Sequence, residues 1–397
     1  MKKLLVISGL LLTISTAFAT DGDQMLGVTA NQWLRGGAIV ASPTDMPSMI
    51  YNPAALGVLK INKYGFDLSL GIMNPPRSIP NPMGKKTDSE SNYYLGMGNG
   101  FAVKISDKIF FGVAAGGVSG MGVDFPSGTL PDNPATPFSE AASIVTKKGL
   151  LKIVPTFAYK PTENLSIGVS LQIGQQSLAL KSPAFMMPQT EEWGFGAAVG
   201  AIYRFSEKLQ AGISYVSKMN ISEYEFNGYS PIPTTTGEGI YKMTMNSPQS
   251  FAFGLSFKPL PSLLVEGDVK WYNFSDVMDY TELKSSNGAV LPLAFGWDDQ
   301  IVYALGIDYA VNKCLSVKFG YNYGATPIGE DDVDSNFGSI AVVEHHFSIG
   351  ATKYWNENVF STLSYTRGLH NELKSSVTGN VIEAEQNIIF VQLGLRF

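Results

Sequence analysis

The feature that most constrains this chain is a period of two in its hydrophobicity. Leu165-Ser166-Ile167-Gly168-Val169-Ser170-Leu171-Gln172-Ile173 alternates apolar residues with small or polar ones, and the pattern returns in Leu315-Ser316-Val317-Lys318-Phe319-Gly320-Tyr321-Asn322-Tyr323 and in Ile389 to Phe397. Successive side chains of a strand point to opposite faces, so each run has one aliphatic or aromatic face and one face of Ser, Gly, Gln, Asn or charge. Two architectures accept such strands: a sandwich, which buries the apolar face, and an outer-membrane barrel, which turns it to lipid.

The connections decide between them. Short polar turns fall at Ser106-Asp107-Lys108, Pro161 to Asn164, Ser206-Glu207-Lys208, Lys258 to Pro261, Asn312-Lys313 and Trp355 to Asn358. They recur at intervals of roughly 43 to 55 residues, one long hairpin apiece. Longer connections lie near Asn74 to Ser91, Gly120 to Lys148, Ser182 to Gln189, Asn227 to Gly239, Asp279 to Phe295, Ala325 to Ile340 and His370 to Asn380. Tight turns at one end and long loops at the other are the asymmetry of outer-membrane barrels. The fold class expected is therefore an all-β membrane protein, an antiparallel transmembrane β-barrel over residues 64–397 with about fourteen strands. Their expected starts are Tyr64, Asn92, Ile109, Gly149, Asn164, Thr190, Lys208, Ile240, Ser262, Trp297, Cys314, Ala341, Glu357 and Val381. An even count lets the first and last strands close antiparallel, so that no backbone donor faces lipid. Trp193, Tyr203, Tyr215, Trp271, Tyr309, Tyr354, Trp355 and Tyr365 are placed to form interfacial girdles, core packing being the alternative.

The start of the chain reads differently. Lys2-Lys3, the apolar run Leu4 to Ile14 and Ala17-Phe18-Ala19 form a secretory signal peptide over residues 1–19, its apolar run too short to span a bilayer. Residues 20–63 hold few alternating runs and several breakers, Pro43, Pro47, Pro53, Gly36-Gly37 and Gly57. About forty such residues ahead of the first strand suit a hatch, a plug in the barrel lumen made of short helical turns and coil. In it Asn52 is expected to bond local backbone so that Pro53-Ala54 turns tightly. The formal charge of -6 argues against a nucleic-acid partner. A single cysteine, Cys314, excludes an intramolecular disulfide.

With these features in place the chain resembles the FadL family of outer-membrane transporters for long-chain fatty acids and other hydrophobic compounds, including its aromatic-hydrocarbon branch. The resemblance rests on Tyr51-Asn52-Pro53-Ala54-Ala55-Leu56, Val154 to Lys160, Trp193-Gly194-Phe195-Gly196 with Gly200 to Tyr203, Gly212 to Lys218 and Tyr303 to Tyr309. It runs through nearly all of the mature chain in order. It implies a fourteen-stranded barrel closed by an N-terminal hatch, with hydrophobic ligand passing from an outer site through an inner pocket to a lateral gap in the wall. One departure is that the long loop after the fifth strand of the fatty-acid members is short here, around Pro183 to Gln189, while a long loop falls earlier, at Gly120 to Lys148.

Candidate residues follow from chemistry. A hydrophobic ligand needs an apolar, adaptable pocket, which Phe185-Met186-Met187 offers, as do Met46, Met49, Met73, Met83, Met97 and Met121 unless they only pack. By parity Glu266, Asp268, Lys270, Asp308, Lys318, Glu344 and Arg396 point into the lumen. A fatty-acid carboxylate would seek Lys270 or Lys318; equally, these cations pair with the acids and hold the hatch to the wall. Gly116, Gly117 and Gly120 allow an inward kink that opens the wall sideways, or close packing against the hatch. No metal, cofactor or nucleotide motif stands out: His345-His346 face opposite ways, and Glu330-Asp331-Asp332 with Asp334 reads as a solvated loop.

The function expected is passive uptake of hydrophobic small molecules such as long-chain fatty acids across the bacterial outer membrane. The protein would act as a non-enzymatic monomer surrounded by outer-membrane lipid and lipopolysaccharide. A structural or secretion-associated barrel that binds a protein partner is the alternative. A hydrolase would have few bases to use among 3 His.

Overall fold

The computed structural model describes residues 21–80, 85–127, 129, 143–230 and 237–397. The expected signal peptide and Met83 lie outside the described residues. Among these residues, fourteen antiparallel strands form one closed wall: β1 Tyr64–Asn74, β2 Tyr94–Lys104, β3 Ile109–Phe125, β4 Ile144–Thr162, β5 Leu165–Ser182, β6 Phe185–Arg204 and β7 Leu209–Val216, then β8 Ser250–Leu260, β9 Leu263–Tyr272, β10 Gln300–Asn312, β11 Leu315–Gly324, β12 His345–Tyr354, β13 Val359–Lys374 and β14 Val381–Arg396. Each pairs with its neighbours in sequence, and β1 pairs with β14 from Gly65↔Arg396 to Asn74↔Asn387, which closes the cylinder.

The alternation in sequence is the alternation of the wall. In β5, Ile167, Val169 and Leu171 are exposed while Ser166, Ser170 and Gln172 are buried. The apolar face therefore points out of the cylinder, the inverse of a soluble core and the arrangement lipid requires. Seven of the girdle aromatics, Trp193, Tyr203, Tyr215, Tyr309, Tyr354, Trp355 and Tyr365, are exposed; Trp271 is half-buried.

Two expectations are corrected. The connection expected at Ser182 to Gln189 is only Pro183-Ala184, closed by a bond of 3.1 Å from Ala184 N to Ser182 Oγ. A side-chain acceptor and a proline at the corner stop the strands at once, so β5 and β6 continue to the tip with 18 and 20 residues. The strand expected from Ile240 is not a wall strand. Gly237–Met243 pairs instead with Tyr224–Ser230, beyond the end of β7, and the wall resumes at Ser250. A second hairpin, Tyr280–Ser285 with Val290–Ala294, joins it at Tyr241↔Ser285. The long-loop end thus carries an extension of the wall's own sheet, joined to β6 at Tyr229↔Met186.

Residues 21–59 are almost wholly buried and touch inward-facing residues around most of the wall. They form helix α1, Ala30–Leu34, and two short 3-10 helices, Met46–Ile50 and Pro53–Gly57. Thr29 and Asn52 precede α1 and the second 3-10 helix, and their side chains accept from the first-turn backbone.

Candidate functional site

The N-terminal segment is fixed by acids on one strand. Glu266 of β9 forms a buried ion pair with Arg35, and its Oε1 accepts from Ala41 N and Ser42 N at 2.8 and 2.9 Å. Two residues on, Asp268 Oδ2 accepts from Ile39 N at 2.7 Å and Val40 N at 3.0 Å. On the opposite wall Asp67 Oδ2 accepts from Met46 N at 2.8 Å and pairs with Arg396 at 2.9 Å. Lys318 donates to Asn31 Oδ1 and lies 3.4 Å from Asp308, whereas Lys270, equally buried, has no hydrogen-bond partner for its ammonium among the described residues. Glu344 lies just before β12 and accepts from Thr326 N at 2.9 Å.

Asn52 is fully buried: its Oδ1 accepts from Ala54 N at 3.1 Å and its Nδ2 donates to Val40 O at 2.8 Å. Here the wall has glycine because the segment's backbone needs the space. A Cβ at Gly200 would lie 2.1 Å from Asn52 Oδ1, and one at Gly168 2.3 Å from the Pro53 carbonyl carbon. Ser166 Oγ donates to Ala54 O at 2.7 Å.

The wall is interrupted between β2 and β3. β2 and β3 pair from Lys104↔Phe110 only as far as Gly98↔Gly116, although β2 stays with β1 to Tyr94 and β3 stays with β4 to Phe125. Beyond Gly117 a bulge places Val118 out of register with β4, and from Gly116 to Val123 both faces of β3 are buried. The strand has therefore turned inward at Gly116-Gly117. Its unpaired edge is covered by the N-terminal segment: Met25 N donates to Val118 O and Gly120 N to Asp23 O, each at 2.9 Å. Asp23 is held at 2.5 Å by Lys148 and at 2.9 Å by Ser119 Oγ. At its upper limit the break is closed by Glu90 N donating to Asp124 O at 2.7 Å.

Beside this break, at the long-loop end, is a cavity of about 450 Å³. Met121 of β3 contributes to it, with Leu178 and Leu180 of β5, Phe185 of β6, Phe295 from the second hairpin and Phe337 from the β11–β12 loop. Its wall is mainly apolar, with Lys181, Ser182 and Asp334 among its polar members, a composition that suits a hydrophobic ligand. Of the residues singled out in sequence, Phe185 and Met121 are brought together here. Met187 is buried behind Gly228, Met186 is exposed, and Lys270 and Lys318 lie elsewhere, against the N-terminal segment. The contributions of Pro292 to Phe295 and Phe337 were missed; the signal was the apolar run Leu291-Pro292-Leu293-Ala294-Phe295 inside a connection that should otherwise be solvated.

Comparison with known proteins agrees with this architecture. A relative of Pasteurella multocida, a 47 kDa outer membrane protein, is 23% identical over 225 residues, 53% of this chain and 52% of that one, so the chain spans about half the length of the curated relative it matches. The toluene transporter TodX of P. putida superposes with a TM-score of 0.76 at 18% identity, over 95% of this chain and 99% of that one. A Pseudomonas aeruginosa FadL homologue does so at 0.77 and 14% identity, over 95% and 100%. Residues 13–359 match the family described as outer membrane protein transport protein (OMPP1/FadL/TodX). A closed fourteen-stranded barrel with lipid-facing apolar side chains, matched to that family over most of its length, places the chain in the OMPP1/FadL/TodX family of the outer membrane.

Proposed function

We propose that the protein carries hydrophobic small molecules, long-chain fatty acids among them, passively across the outer membrane. A ligand settles first in the apolar cavity at the long-loop end, moves inward along β3 and leaves sideways through the break between β2 and β3. Residues 20–63 act as the hatch that keeps the lumen shut to water and small solutes. No energy source is needed, because the ligand runs down its gradient and the lateral exit delivers it without crossing a polar lumen. The observation that carries this reading is that the apolar cavity and the unpaired stretch of wall share one strand, with Met121 in the cavity three residues beyond Val118 in the bulge.

Uptake of labelled palmitate and labelled toluene, in a strain lacking any paralogue, tests it. Expression of the protein is expected to raise uptake of one or both, and Phe185→Asp, which places a charge in the cavity, to lower it at least about tenfold. Equal uptake with and without the protein sinks the reading.

A further inference from the structure

At the tight-turn end of the barrel the strand register sets lysine opposite lysine. One residue past Tyr64↔Val103, the pairing of β1 with β2 brings Lys63 to Lys104, and Lys104 N donates to Lys63 O at 3.0 Å. One residue past Ile109↔Tyr159, Lys160 of β4 donates through its N–H to the carbonyl of Lys108, just before β3, at 2.8 Å. One residue past Leu209↔Phe257, Lys258 of β8 does the same to Lys208, just before β7, also at 2.8 Å. Like charges directly opposite each other on a sheet repel, and the strands behind these residues hold them in place. Little in the protein offsets the repulsion. Among the described residues, only Lys104 of the six has an ion pair, with Asp107 at 2.7 Å on its exposed turn. The chain as a whole is acidic, with a net charge of -6, so the pairs are no by-product of a basic composition.

Each pair has an outward aromatic next to it in sequence. Tyr64 adjoins Lys63, Tyr159 adjoins Lys160 and Phe257 adjoins Lys258, and all three rings are exposed on the lipid face. The Lys63 ammonium sits over the Tyr64 ring, 5.2 Å from its centre. Aromatic side chains at the ends of lipid-facing strands mark the level of the head groups, so the ammonium groups stand where lipid phosphates lie. The tight-turn end of such a barrel is the periplasmic one, and that leaflet is built of glycerophospholipid. The pairs are spread along the edge of the cylinder, on β1 and β2, on β3 and β4, and on β7 and β8. Separate lipid molecules reach every one of them, whereas a compact acidic protein would meet one side of the rim at a time.

We propose that the three lysine pairs are binding sites for the head groups of anionic phospholipid in the periplasmic leaflet, one phosphate bridging the two ammonium groups of each pair. An anion placed between them replaces the repulsion by two charge-assisted hydrogen bonds. A zwitterionic head group brings its own ammonium and cancels part of that gain, so phosphatidylglycerol is preferred to phosphatidylethanolamine. The inference goes beyond the uptake reading and is independent of it: it concerns how the barrel is held in its leaflet, whatever passes through.

The test uses the purified full-length protein reconstituted in phosphatidylcholine bilayers, with spin-labelled phosphatidylglycerol and spin-labelled phosphatidylethanolamine of the same chains as probes. Electron paramagnetic resonance reads the share of each probe that the protein immobilises. One lysine at the membrane surface is worth about fivefold in affinity for an anionic lipid, so over the whole perimeter wild type is expected to favour phosphatidylglycerol at least about twofold at low salt. The preference is expected to shrink in about 1 M salt. Replacing all six lysines by glutamine is expected to erase it, and Lys313→Gln, outside the pairs, to leave it. Equal immobilisation of the two probes by wild type overturns the proposal in favour of an acidic protein as the partner of the rim. A preference that survives the six replacements overturns it outright. Lys208→Gln with Lys258→Gln alters one exposed pair alone and covers the case in which the six-lysine variant fails to fold. Its thermal midpoint is expected to equal or exceed that of wild type in neutral detergent, where the repulsion is relieved, and to fall below it once phosphatidylglycerol is added to the micelles. A midpoint that stands in the same relation to wild type with and without phosphatidylglycerol overturns the site.

Discussion

At the scale of single residues, the lumen is organised by carboxylates that receive backbone N–H groups. Glu266 and Asp268 together accept from four successive amides, Ile39 to Ser42, and Glu266 also takes Arg35. A segment with so little regular structure leaves its backbone donors unpaired, and two inward acids on one strand satisfy a run of them without a matching strand. Parity in the sequence turned these acids inward; their partners, more than 220 residues away in the chain, left no trace there. Glu266→Ala leaves Arg35 charged and buried without the carboxylate it is bonded to, so it is expected to destabilise the protein by about 3–5 kcal/mol. Arg35→Met with Glu266→Met is expected to recover most of that loss. Denaturant unfolding of the refolded barrel, followed by tryptophan fluorescence, measures both; a single variant as stable as wild type would dismiss the anchor.

At the scale of elements, hairpins were legible because a period of two and a short polar turn are local signals. All six short turns stand where they were expected. The long-loop end was not legible, since its extra hairpins and cavity depend on which distant segments meet. One such meeting is the clamp between the 3-10 helix Glu330–Ser335 and the β13–β14 loop. Asp334 accepts from Ser375 Oγ at 2.7 Å, Thr378 Oγ1 at 2.8 Å and Asn380 Nδ2 at 2.6 Å. Partial burial pushes its carboxyl up, but the bonds from Asn380, Ser375 and Thr378 outweigh this and hold it below the ordinary 3.8. A depressed carboxyl contributes its stability above the unfolded value and loses it as the pH falls through the lower folded value. The clamp is therefore expected to hold from neutrality down past 3.8 and to open only in stronger acid. Amide exchange across residues 375–380 should stay slow in that range for wild type and become fast at every pH in Asp334→Ala.

At the scale of the whole molecule, a closed barrel satisfies every backbone group by pairing, and this one gives up pairing along the seam between β2 and β3. The unpaired edge of β3 would be costly toward lipid, because no water is there to bond it. Turning the strand inward at Gly116-Gly117 removes that edge from lipid, and residues 23–25 supply the bonds that β2 no longer makes. The seam is thus a place where the wall and the N-terminal segment share the same donors and acceptors, so displacing the segment and opening the side of the barrel become one event. Under the uptake reading this makes the seam the exit. Stapling it should then stop transport without altering the cavity. Met97 and Gly117 are the next positions beyond the last β2–β3 pair, Gly98↔Gly116, and Met97→Cys with Gly117→Cys in a Cys314→Ser background joins them across the break. Oxidised cells are expected to lose at least about tenfold in uptake of labelled palmitate or toluene and to regain it on reduction. Labelled ligand should still be held by the oxidised protein, because the cavity is intact and only the way out is shut. Undiminished transport through a barrel with the disulfide fully formed would require the ligand to leave elsewhere, through the lumen and past the anchored segment.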